Sequence, residues 1–74
     1  MMKTENIPEL IKKVRKQLHF SQEDLARELG VSFATVNRWE NGKVLPSKMA
    51  QRIFTKFCKV KIKSKKIKMS GDDL

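Results

Sequence analysis

One run constrains this chain more than any other: Ser21-Gln-Glu-Asp-Leu-Ala-Arg-Glu-Leu-Gly-Val-Ser-Phe-Ala-Thr-Val-Asn-Arg-Trp-Glu-Asn-Gly-Lys43. Its apolar spacing predicts two short helices, about 22–29 and 33–41, joined by a tight turn. Leu25, Ala26 and Leu29 share one face of the first helix, and Val36 and Trp39 share one face of the second. Gly30 stands just past the end of the first, where a left-handed backbone is usual and glycine adopts it freely. Ser32 stands where an N-cap belongs, its hydroxyl ready to accept an orphan amide. Ser21, with Asp24 three residues on, approximates a capping box.

The outward positions of the second helix carry Phe33, Ala34, Thr35, Asn37 and Arg38. These side chains are short, or hydrogen-bond a base edge, or suit a thymine methyl, which is what a helix entering a DNA major groove presents. Arg38 is the best candidate for a bidentate contact to guanine and Asn37 for adenine. Phe33 and Ala34 suit thymine methyls, and Thr35 suits a base or a phosphate. Gln22, at the start of the first helix, is placed to clamp a phosphate beside that helix's free amides. Asn41 and Lys43, in the loop after the second helix, are candidate phosphate contacts on the opposite side of the groove.

Residues 10–58 resemble the Cro and phage-repressor (XRE-like) helix-turn-helix family. The resemblance is carried by Arg15, by Ser21-Gln22, Leu25-Ala26 and Leu29-Gly30-Val31-Ser32, by Thr35-Val36 and Trp39-Glu40-Asn41-Gly42, and by Pro46. It implies an all-α, lambda-repressor-like domain of four or five helices. It matches Phe33, Ala34 and Arg38 to the family's main base-contact positions and Gln22 to a phosphate clamp. It also implies a largely buried structural ion pair between Arg15 and Glu40. Family members commonly form a dimer through a fifth helix, for which this sequence gives no convincing signal.

Around this run, Ile7, Leu10, Ile11, Val14 and Leu18 predict a first helix over about 7–18. Asn6 and Glu9 suit a capping box, with Pro8 in the first turn. Phe20 is expected to plug the core and His19 to be a loop residue. A fourth helix is expected from Ser47 as N-cap to about residue 57 or 58, burying Met49, Ala50, Ile53, Phe54 and Phe57. The helix-turn-helix domain thus covers 1–58, and 59–74 form a basic tail, flexible or dimer-forming. Within the tail Lys59-Val-Lys-Ile-Lys63 alternates with a strand period, and Ser70–Leu74 looks frayed. A disordered arm following DNA phosphates, a strand pairing with a second copy and an extension of the fourth helix all remain open.

The chain has 74 residues, enough for one small domain, and a formal charge of +9. Residues 1–58 hold eleven Lys/Arg against six Asp/Glu, and 59–74 hold six against two. Such an excess draws polyanions through counterion release. Cys58 is the single cysteine, so no internal disulfide is available, and a small buried residue in a reducing cytosol is expected. His19 and Cys58 lack partners at ligand spacing, so no metal and no cofactor are expected. No run approaches the ~20 apolar residues of a membrane span, and a soluble cytoplasmic protein is expected. Neither paired carboxylates nor a nucleophile–base set points to an enzyme; Glu23, Asp24 and Glu28 suit a solvated helix face.

The preferred reading is a sequence-specific transcriptional regulator, most simply a repressor, that binds an inverted repeat of double-stranded DNA as a homodimer. The alternative is a protein-interaction module of the antitoxin or bridging type on the same fold, with a protein partner on the tail or the first helix. A coating protein that needs only phosphates fits less well with the varied outer face of 33–41.

Overall fold

The computed structural model describes residues 7–69. Four helices follow one another: α1 (Ile7–Gln17), α2 (Gln22–Leu29), α3 (Phe33–Glu40) and α4 (Lys48–Lys63). No strand occurs among the described residues, and the all-α architecture expected from the sequence is the one observed. The expected capping box of Asn6 and the frayed segment 70–74 lie outside the described residues.

The core follows the apolar spacing. Ile7, Leu10, Ile11 and Val14 of α1 meet Leu25, Ala26 and Leu29 of α2, Val36 and Trp39 of α3, and Phe54 and Cys58 of α4. α3 packs against both α1 and α2, and α4 closes against α2. Leu18, Phe20 and Val31 fill the seams between helices, half-buried against the core.

The helix starts obey the same local rule. Ser21, Ser32 and Ser47 each sit in extended backbone, and their side chains accept from the amides of Asp24, Thr35 and Ala50. At α2 the box closes in both directions: Asp24 Oδ2 accepts from the Ser21 amide at 2.9 Å, and Ser21 Oγ accepts from the Asp24 amide at 3.0 Å. The bond from the Ser21 amide first, and then the neighbouring Ser21 hydroxyl, hold the Asp24 carboxyl below its usual range.

All four helices end alike. A left-handed residue follows each one, at His19 (φ 58°), Gly30 (φ 74°), Gly42 (φ 71°) and Lys65 (φ 61°). In each case the next amide reaches back five residues, as Phe20 to Arg15, Val31 to Ala26, Lys43 to Arg38 and Lys66 to Lys61. This is the Schellman closure, which satisfies carbonyls that the helix leaves unpaired.

Two expectations for the C-terminal half are corrected. α4 does not stop at 57 or 58 but runs to Lys63, through the boundary expected there. Lys59–Lys63 is therefore helix and not strand. Phe54, Cys58 and Ile62 recur every four residues toward the core, and Val60, apolar but 57% exposed, produced the apparent alternation. Met49 and Ile53, expected in the core, are exposed at 71% and 45%. The helix turns Ala50, Phe54 and Phe57 inward, which leaves those two on the other side.

The segment after α4 also turns back. Ile67 is buried in the core at 2% exposure. Gln17 at the end of α1 holds the backbone of Lys68 at two points: Gln17 Oε1 accepts from the Lys68 amide at 2.7 Å, and Gln17 Nε2 donates to its carbonyl at 3.4 Å. Residues 64–68 are thus part of the domain rather than a free arm.

Candidate nucleic-acid interface

α2, the turn Gly30-Val31-Ser32 and α3 form one rigid corner. Gly30 supplies the left-handed step with open space beside it, Val31 packs inward, and Ser32 starts α3. The turn fixes which face of α3 meets the core: Val36, Trp39 and Glu40 are buried. The opposite face is left to solvent. Phe33, at 53% exposure, Ala34 and Arg38 lie on it.

The other two expected base contacts are more enclosed. Thr35 is half-buried, its hydroxyl 2.8 Å from that of Ser32. Asn37 is half-buried and both ends of its amide are engaged. Its Nδ2 donates to Gln22 Oε1 at 3.0 Å, and its Oδ1 accepts from Asn41 Nδ2 at 3.0 Å. Gln22, expected to meet a phosphate, is half-buried between α2 and α3. Asn41 and Lys43 are exposed just beyond α3.

Beneath this surface lies the expected ion pair. Arg15 Nε donates to Glu40 Oε2 at 2.7 Å, and Nη2 donates to Oε1 at 2.9 Å, a two-pronged contact. A third donor, Nη1, bonds the Phe20 carbonyl at 3.0 Å, so the same guanidinium pins the α1–α2 connection. The Glu40 side chain is 2% exposed and that of Arg15 18%. Burial pushes the Glu40 carboxyl up, but the hydrogen bonds from Arg15 and Gln22 outweigh it and hold the group below its usual range. The Glu40 hydrogen bond likewise raises Arg15 against the opposing effect of burial.

The sequence did not reveal that the polar candidates are joined. Gln22 Nε2 donates to Glu40 Oε1 at 3.1 Å, so Arg15, Glu40, Gln22, Asn37 and Asn41 form one continuous chain of hydrogen bonds. Beyond the Arg15–Glu40 pair, its trace in the sequence is the four-residue spacing of Asn37 and Asn41, which places them as neighbours on a helix. The Gln22–Asn37 contact crosses between helices and had no signal.

Fold and surface together define a helix-turn-helix domain whose second helix is presented to solvent, the architecture of a DNA-binding regulator. The sequence model of the family described as Helix-turn-helix matches residues 11–57. The match covers more than half of the chain, which therefore belongs to this family, the Cro/repressor-like (XRE) group. No curated protein and no solved structure matches the chain significantly. Among the described residues no helix is long and apolar enough to cross a membrane.

Proposed function

We propose that the protein is a sequence-specific transcriptional regulator that binds an inverted repeat as a homodimer and represses by occupying its operator. The observation that carries this reading is the outer face of α3, where Phe33, Ala34 and Arg38 stand exposed on a helix whose other face is locked into the core. A helix that only coated phosphates would need lysines there. Arg38 reads guanine through its two-donor fork, with Phe33, Ala34 and Thr35 against thymine methyls and neighbouring groups. Gln22, Asn41 and Lys43 hold phosphates and set the register.

Size supports the dimer. The domain measures 28 × 23 × 18 Å, less than the roughly 34–36 Å between successive major grooves, so each copy reads one half-site. Met49, Ile53 and Val60 lie within about 40° of one another around α4 and give an exposed apolar stripe that a second copy covers. From Asn41 to Gly71 the sequence has no acidic residue, so two copies meeting through α4 repel until DNA phosphates neutralise them. Dimerisation is then driven by the operator.

The same stripe favours a second reading, a protein-interaction module. Arg52, Lys56, Lys59 and Lys63 flank the stripe along one edge, which suits an acidic apolar partner.

The test is selection of bound duplexes from a random library at about 0.15 M salt. The expected result is a two-fold symmetric motif, with Arg38→Ala relaxing preference at one position per half-site at a cost of about 1–3 kcal/mol. Binding without a motif, lost simply as salt rises, would overturn the regulator reading in favour of the interaction module.

A further inference from the structure

We infer that Asn37 is a positioning residue that couples the phosphate contacts at the two ends of the motif, Gln22 and Asn41, and does not itself read a base. This inference rests on the DNA-binding reading above, and it adds a role that the outer-face position of Asn37 does not suggest.

The argument starts at the buried carboxylate. Ionised, Glu40 accepts only. Gln22 must therefore turn Nε2 toward it, as observed at 3.1 Å. That turns Gln22 Oε1 away, where it needs a donor, and Asn37 Nδ2 supplies one at 3.0 Å. Asn37 Oδ1 then needs a donor in turn, and Asn41 Nδ2 supplies it at 3.0 Å. A single carboxylate held by Arg15 thus dictates the orientation of three side-chain amides in succession. Flipping any one of them would set two donors or two acceptors face to face. All the bonds run the same way, toward Glu40, so each polarises the next.

Two consequences follow. A two-point contact to adenine needs both the oxygen and the nitrogen of Asn37. Each already carries one bond in the relay, and an Asn37 amide that turned out to face a base edge would give up both, at about the cost of the discrimination gained. Turning Asn37 toward a base therefore gains nothing. Gln22 and Asn41, on the other hand, each keep a second amide hydrogen for a phosphate, and the direction of each depends on Asn37 between them. The start of α2 and the end of α3 therefore engage the backbone as a unit.

The test has two arms. In the free protein, without DNA, the side-chain amide resonances of Gln22 should move on Asn37→Ala and stay put on Arg38→Ala. On the selected duplex, Asn37→Ala should weaken binding about equally for every base-substituted version of the site. The single losses from Gln22→Ala and Asn41→Ala should fail to multiply by about threefold or more in the wild-type background and multiply simply in Asn37→Ala. Asn37→Ser serves if the alanine variant does not fold by circular dichroism. Unmoved Gln22 resonances, relaxed preference at one base position, or coupling that persists without Asn37 would each overturn the inference. Failure to select any motif would instead strike the DNA-binding reading and leave the resonance arm to judge the relay.

Discussion

At the scale of the residue, one buried carboxylate anchors both an ion pair and the polar chain that leads to the surface of α3. Glu40 is buried, paired with Arg15 and bonded by Gln22, so its removal leaves a guanidinium without its partner and an amide without its anchor. Breaking a buried pair from one side costs about 3–5 kcal/mol, and a domain this small has little to spare. Glu40→Ala should therefore melt far below wild type in a calorimetric scan, and an unchanged melting temperature would refute the role. The pH dependence has a definite sign. Folding lowers the Glu40 pKa, so its stabilisation is complete above the ordinary carboxylate range near ~4.3 and is lost as pH falls through the depressed folded value. Glu40→Gln should flatten that acid limb in urea titrations run from pH 7 downward.

At the scale of the element, four helices end with one backbone device but two kinds of residue. Gly30 and Gly42 adopt the left-handed step freely, whereas His19 and Lys65 adopt it against a penalty of roughly 1–2 kcal/mol. Both are exposed, so their side chains contribute little there. His19→Gly and Lys65→Gly should each raise stability by about 0.5–1 kcal/mol, after allowing for the greater freedom of glycine when unfolded. On a domain of this size that is a few degrees in melting temperature. The same contrast explains what the sequence disclosed. Glycine and serine marked both ends of α2 and α3, and those bounds were legible to within a residue. Lys65 lies inside a run of lysines and carries no stop signal, so the sequence leaves the end of α4 open among three readings. The exposed Val60 beside the inward Ile62 then gave a false strand period. In the site, outward positions of α3 followed from helical spacing alone, while the Gln22–Asn37 bond depends on how α2 and α3 cross, which spacing does not encode.

At the scale of the whole molecule, the chain is closed by its last described segment. Ile67 enters the core and Gln17 grips Lys68, so the residues after α4 lie against the end of α1. A tail that only followed phosphates would lose DNA affinity, and no stability, when altered. Ile67→Ala should instead lower stability by about 2–5 kcal/mol, seen as a drop in the urea midpoint with the slope unchanged. Lys65, Lys66 and Lys68 are held on the domain surface by this latch, so their charge is delivered at a fixed place.

Cys58 gives the closed core a further property. Its thiol is fully buried, and burial pushes it up to about 12. Only the thiolate attacks alkylating reagents and disulfides, and at neutral pH its fraction is on the order of one in 10⁵. While the fold is intact the single thiol of this chain is chemically silent, and thiol-directed oxidants pass it by. Each covalent mark left on it records a moment when α4 came away from its neighbours, so the cysteine serves as a clock for opening.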